Sequence, residues 1–218
     1  MKNEIIKVAL ADDHILLRNA LASMINKNEK LKVIFEATNG KELIEQFKSN
    51  IIPDVVILDL NMPHMNGYET ANFLNKNYPE VKTLMLTMYD SELALIRLLK
   101  VGVKGFMKKD IHPTELLFAI DSVHKNGYYY SPQTSSKLAG LFRDDDSINF
   151  IDKIMLNESE ISFLKLVCTE MTYKEIASEL NLNPRSIDSM RDNLFTRLDI
   201  KSRVGLAMFA IKHGIVIS

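Results

Sequence analysis

The chain has 218 residues, 46 % of them hydrophobic, and a net charge of −1, enough for one or two domains with cores of their own and too balanced to require or exclude a nucleic-acid partner. No apolar run reaches the length of a membrane span, and Met1-Lys2-Asn3-Glu4 leads into a strand-like segment and not a signal peptide, so a cytoplasmic protein without membrane contact is expected. The single cysteine, Cys168, excludes an intrachain disulfide, and five histidines without ligand spacing argue against a zinc site.

Residues 5–10 are apolar except for Lys7 and run into Ala11-Asp12-Asp13-His14, a buried strand ending in two carboxylates. Ile15, Leu16, Ala20, Leu21, Met24 and Ile25 have helical spacing. A second strand over 31–38, a turn at Asn39-Gly40 and a helix over 41–48 follow. Val55-Val56-Ile57-Leu58-Asp59 is the central strand; Met62-Pro63 and Gly67 then break the backbone and leave Asp59 at the strand's C-terminal edge. A helix over 68–77 stops at Pro79, and a fourth strand over 82–87 ends in the hydroxyl of Thr87. A helix over 91–100 precedes a fifth strand, Gly102 to Lys109, which ends in ammonium groups, and an amphipathic helix over 114–124 completes the pattern. Five strands alternating with five helices predict a doubly wound parallel sheet built of right-handed crossovers. Residues 1–126 form this α/β domain, and 127–152, with the acidic run Asp144-Asp145-Asp146, read as a linker with room for one short helix over 132–142. From 153 to 218 strands vanish. Helices over 158–168, 173–180, 184–198 and 204–212 are joined by links that force direct packing, and the middle pair, around Asn181-Leu182-Asn183, has the proportions of a helix-turn-helix. Cys168, beside Leu164 and Val167, reads as a core thiol.

In a parallel sheet Asp12, Asp13, Asp59, Thr87 and Lys109 share one rim. Carboxylates packed together repel one another unless a cation sits among them. Mg²⁺ prefers oxygen ligands and keeps several waters, which suits Asp13 and Asp59. Asp59 is then placed to act as a nucleophile that forms an acyl phosphate, with Thr87 donating to one phosphoryl oxygen and Lys109 offsetting charge on another.

Ala11-Asp12-Asp13-His14, Leu58-Asp59-Leu60-Asn61-Met62-Pro63 with Gly67, Leu86-Thr87 and Gly105-Phe106-Met107-Lys108-Lys109 resemble the receiver domain of two-component response regulators. The resemblance implies a flavodoxin-like fold and a phosphoacceptor Asp59 served by a histidine kinase. It implies Mg²⁺ organised by Asp12, Asp13, Asp59 and the main-chain carbonyl of Asn61, and a switch made of Thr87 and Phe106. Lys109, counted from Gly105, takes the lysine position; if Lys108 took it, the side chain would turn to the other face of the sheet. Phe106 replaces a common tyrosine, and Asp110 stands where many receivers have proline.

Leu156-Asn157-Glu158-Ser159-Glu160, Lys174-Glu175-Ile176-Ala177, Ser186-Ile187 and Arg197-Leu198 with Lys201-Ser202-Arg203 are similar to the LuxR-type DNA-binding domain, and the two halves together resemble NarL/FixJ-type regulators. On the third helix Ile187, Met190, Leu194 and Leu198 share the core face at about 100° per residue. Arg185, Asp188, Ser189, Asp192 and Thr196 share the opposite face, which would enter a major groove of double-stranded DNA. Asn183 and Ser186 stand at the helix start. Arg191 and Arg197 flank the core face, and Lys174, Lys201 and Arg203 add charge for phosphates. Across residues 152–218 nine Lys/Arg balance nine Asp/Glu, so only the local excess of five basic over three acidic residues from 181 to 203 favours DNA. Asp188 and Asp192 depart from the basic residues common in the family. Val204, Met208 and Ile211 form either a pairing stripe or core.

The combined reading is a regulator, not an enzyme, that binds DNA and dimerises when phosphorylated. Two other readings stay open. One is a phosphatase of the haloacid dehalogenase type, against which Asn61 stands where that class has a second Asp. The other is a protein-interaction output that has lost DNA.

Overall fold

Residues 5–48, 51–88, 91–140 and 155–216 are described by the computed structural model of the chain, and the acidic run 144–147 lies outside them. Contacts divide the chain into an N-terminal and a C-terminal unit, the main break falling after Ser136.

The N-terminal unit alternates β1 (Ile6–Ala11), α1 (Ile15–Asn26), β2 (Leu31–Ala37), α2 (Gly40–Phe47), β3 (Val55–Asp59), α3 (Gly67–Asn77), β4 (Lys82–Thr87), α4 (Glu92–Lys100), β5 (Gly105–Lys108), α5 (Pro113–Asn126) and β6 (Tyr129–Tyr130), followed by α6 (Pro132–Gly140). All strand pairs are parallel, in the order β2-β1-β3-β4-β5-β6. The order reverses between β1 and β3, which opens a crevice beyond their C-terminal ends. Every residue of β3 is buried, as a strand covered on both faces requires. Alternate residues Val8, Leu10, Ile57, Leu84, Leu86 and Met107 pack with Ala22 and Ile25 of α1 and with Leu116, Ala119 and Ile120 of α5.

The predicted elements appear within one or two residues of their expected ends, except the fifth strand, predicted from Gly102, which begins at Gly105. The sheet also gains a sixth strand, in the stretch read as linker. Tyr129 and Tyr130 pair with Gly105 and Phe106, and two residues are too few for any periodicity to announce.

Gly67 shows why the loop after Asp59 needs a glycine. Its N–H donates to the Leu60 carbonyl at 2.9 Å, and a Cβ at this position would overlap the carbonyl of Asp59. Asn66 then caps α3 through a reciprocal box with Glu69. Gly67→Ala is expected to cost about 1–3 kcal/mol in urea unfolding, because the clash is with backbone and no rotamer relieves it.

The C-terminal unit contains, among the described residues, α7 (Glu158–Val167), α8 (Tyr173–Glu179), α9 (Pro184–Leu198) and α10 (Arg203–Lys212). Each begins with a side-chain cap: Asn157, Thr172, Asn183 and Ser202 accept from backbone N–H groups three residues on. Ile187 and Leu194 are fully buried, and Met190 and Leu198 pack beside them, with Phe163, Ile176 and Leu206 from the other three helices. Cys168 is half-buried, its thiol donating to the Leu164 carbonyl; burial pushes its pKa up against the opposing charge of Arg203.

Candidate functional site

Ala11 of β1 pairs with Leu58 of β3, so the next residues, Asp12 and Asp59, leave the two strands side by side at the reversal of strand order. Both are 4 % exposed. The Lys109 Nζ lies 2.9 Å from Asp12 Oδ2 and 2.9 Å from Asp59 Oδ2, bridging them. Burial pushes the Asp59 carboxyl above its ordinary pKa. The hydrogen bond and charge of Lys109 and the backbone N–H of Asn61 pull it back only in part. Burial also works against the Lys109 ammonium, yet its hydrogen bonds to Asp12 and Asp59 and their charges outweigh this and raise its pKa.

Lys108 and Lys109 are told apart by the register. Lys108 pairs with Thr87 and is exposed, whereas Lys109 follows on the parity of Met107, its N–H donating to the Thr87 carbonyl at 3.1 Å, and its ammonium reaches the carboxylates. Thr87, 1 % exposed, ends β4 one residue beyond Leu86, the partner of Asp59. Buried Phe106 pairs with Met85 and so lies on the same face of the sheet as Thr87. The peptide bond before Asp110 is trans.

Asp13 is exposed and reaches the same place. The carboxylates of Asp12, Asp13 and Asp59 and the imidazole of His14 offer donor atoms that all lie within 4.8 Å of one another. Three oxygen donors of this kind suit a hard divalent cation.

In the C-terminal unit α9 presents Arg185, Asp188, Ser189 and Asp192 on its exposed side. Arg191 is folded back on its acidic neighbours, 2.9 Å from Asp188 and 2.8 Å from Asp192, and lies over the Tyr173 ring. Asn183 and Ser186 form the helix cap, Asn183 Oδ1 accepting from the Ser186 N–H at 2.8 Å. Arg197 and Arg203, expected to supply charge for phosphates, both make contacts inside the domain. Arg197 reaches buried Glu160 of α7 at 2.7 Å. Arg203 donates to the carbonyls of Val167 and Thr169 at the end of α7, where unpaired carbonyls attract a cation. Lys174, Arg185 and Lys201 are exposed and make no ion pair among the described residues.

Residues 8–121 match the family described as the response regulator receiver domain, and residues 155–210 match the luxR family of bacterial regulatory proteins. The oxygen regulatory protein NreC of Staphylococcus haemolyticus is 32 % identical over 96 % of this chain and 99 % of its own. The chain is a response regulator of the NarL/FixJ type. Response regulator UvrY of Escherichia coli is 28 % identical, over 96 % of this chain and 95 % of its own. Among solved structures, RcsB from Salmonella enterica serovar Typhimurium, bound to a promoter in the presence of a phosphomimetic, shares the fold with a TM-score of 0.69 and 22 % identity over 94 % of this chain and 98 % of that one. This response regulator is thus a transcriptional regulator: a receiver, which takes its phosphoryl group from a histidine kinase, followed by a LuxR-type DNA-binding domain. Among its described residues no helix is long and apolar enough to cross a membrane.

Two residues of the receiver's rim were missed from the sequence. His14 caps α1 without using its side chain, which turns instead to Asp12 and Asp13 at 3.1 and 3.0 Å. Arg18 donates to the Asp12 carbonyl at 2.6 Å and pairs with Glu36 of β2 at 3.3 Å, fixing the end of β1. Only the spacing His14 to Arg18, one helical turn, hints that both face the strand end.

Proposed function

We propose that Asp59 is the phosphoacceptor and that its phosphorylation controls DNA binding by the C-terminal domain. The Asp59 carboxylate oxygen attacks phosphorus of a kinase phosphohistidine, forming an O–P bond as the P–N bond breaks and the imidazole leaves. The observation that carries this reading is the single ammonium of Lys109 held 2.9 Å from both Asp12 and Asp59, a cation fixed where charge on the transferred group develops. The Thr87 hydroxyl donates to a phosphoryl oxygen, and Phe106, on the same face of the sheet, repacks as Thr87 moves. Asp12, Asp13, Asp59 and the Asn61 carbonyl would hold Mg²⁺, which when bound supplies charge neutralisation of the phosphoryl oxygens. Asn61 carries no transferable proton at the position where dehalogenase-type phosphatases keep an Asp, which favours a regulator without catalytic turnover of its own.

Residues 1–126 act as the receiver, 127–152 as a connector whose first residues add β6 to the receiver's sheet, and 153–218 as the reader of double-stranded DNA. The start of α9, capped by Asn183 with Ser186, brings Arg185, Asp188, Ser189 and Asp192 to the major groove. Arg191 offsets the two aspartates, and Lys174, Arg185 and Lys201 meet phosphates. Arg197 supports this surface by tying α9 to α7, and Arg203 by tying α10 to the end of α7. Val204 and Met208 are 71 % and 61 % exposed on α10, which favours the pairing stripe over core and a homodimer on phosphorylation. A DNA-reading regulator works in the cytoplasm.

The test is a mobility shift on promoter fragments with and without acetyl phosphate. Wild-type affinity rises with the donor and falls with added salt, while Asp59→Asn gives a shift that ignores the donor. A donor response that survives in Asp59→Asn contradicts the proposal.

A further inference from the structure

We propose that His14 is an additional ligand of the divalent cation, giving this receiver a preference for Mn²⁺-class metals over Mg²⁺; the inference rests on the reading that the acidic cluster holds a cation. The donors divide into two sides. Lys109 takes the Oδ2 atoms of Asp12 and Asp59, whereas the Oδ1 atoms of Asp12 and Asp13 turn to His14 Nδ1, at 3.1 and 3.0 Å. In an octahedral site with bonds of about 2.1 Å, neighbouring ligand atoms are roughly 3.0 Å apart. The observed spacings are those of an Nδ1–H donating to the two carboxylates, and they equal the edge that an imidazole nitrogen and each carboxylate would share around a cation, which would replace that proton between the same atoms. The Asp59 carboxylate lies beside this group, its Oδ2 4.0 Å from the same nitrogen and held by Lys109.

The ring is held there by local structure. His14 is the N-cap of α1, yet its side chain makes no cap, and its backbone N–H donates to Asp12 Oδ1 at 2.8 Å, which fixes the Cβ direction toward the acids. The side chain is 65 % exposed, so with Nδ1 turned to the carboxylates the other edge of the ring can face water. Coordination through Nδ1 therefore needs only the tautomer that carries its proton on Nε2, where solvent accepts it. Imidazole adds affinity for Mn²⁺ and later divalent metals and little for Mg²⁺, which favours oxygen.

The test uses the full chain, with Mn²⁺ followed by electron paramagnetic resonance and Mg²⁺ by calorimetry, in wild type, His14→Ala and Asp13→Asn. The expected result is that His14→Ala lowers the Mn²⁺ to Mg²⁺ affinity ratio by roughly tenfold, on the scale of metal-site substitutions, while Asp13→Asn weakens both cations. Pulsed resonance of the Mn²⁺-loaded wild type shows a nitrogen coupling that His14→Ala lacks. Binding of both cations with an unchanged ratio and no nitrogen coupling overturns the role of His14 alone. Binding of neither cation by wild type overturns the metal reading with it.

Discussion

Lys109→Met makes receiver stability strongly dependent on pH and on divalent cations. The substitution keeps the aliphatic stem and removes the ammonium that lies 2.9 Å from both Asp12 and Asp59. Two carboxylates, each 4 % exposed, are left facing one another. Loss of one partner from a buried ionic cluster costs about 3–5 kcal/mol, most of it the uncompensated burial of what remains. The sign follows from the protons. In wild type, burial already raises Asp59 above its ordinary 3.8, so the folded state holds that proton more tightly than the unfolded chain; stability from this group is lost as pH rises through the folded pKa. Without Lys109 the folded pKa rises further, so the variant regains stability on acidification over a wider range than wild type does. Wild type carries the complementary limit: Lys109 is raised above 10.5, and its contribution is lost only as pH rises past that folded value. Urea unfolding at neutral and mildly acidic pH, with and without Mg²⁺, checks this. Mg²⁺ is expected to restore part of the loss in Lys109→Met by screening the same carboxylates.

Arg197→Met is expected to have the largest effect in the DNA-binding domain. Glu160 is buried; one of its oxygens accepts from the Asn157 N–H in the cap of α7, and the other receives Arg197 at 2.7 Å. With Arg197 gone, α7 keeps its cap and loses the cation, at a cost of about 3–5 kcal/mol. For a domain of this size each kcal/mol moves Tm by roughly 4–8 °C, so the C-terminal transition falls by more than ten degrees or disappears. Glu160→Gln in the same background restores much of it, because a neutral amide can serve the cap without an unpaired charge. Calorimetry of wild type and the two variants separates this structural role from a phosphate contact, which would weaken DNA binding and leave Tm unchanged.

The rim residues were legible because each is announced by its own strand: an apolar run that ends abruptly in Asp59, Thr87 or Lys109 says which edge the side chain reaches, and parity separates Lys109 from Lys108. What the sequence hides is contact between elements far apart along the chain or shorter than a period. The pair Glu160–Arg197 spans two helices, and a lone arginine beside an apolar face reads equally well as a phosphate ligand. Tyr129–Tyr130 joins the sheet on two residues alone. His14 reads as the first residue of a helix until the backbone turns its ring onto the acids. For Val204 and Met208, apolar spacing is the same on a buried and an exposed stripe, so only the packed domain distinguishes them.

The central claim is that a labile anhydride forms on one particular carboxylate among three. Treating the protein with acetyl phosphate and Mg²⁺, reducing with borohydride and mapping peptides by mass converts an aspartyl phosphate to homoserine at its own position. The account predicts homoserine at position 59, dependent on the divalent cation and lost in Asp59→Asn. Reduction at Asp12 or Asp13 instead, or none anywhere in the chain, would contradict it.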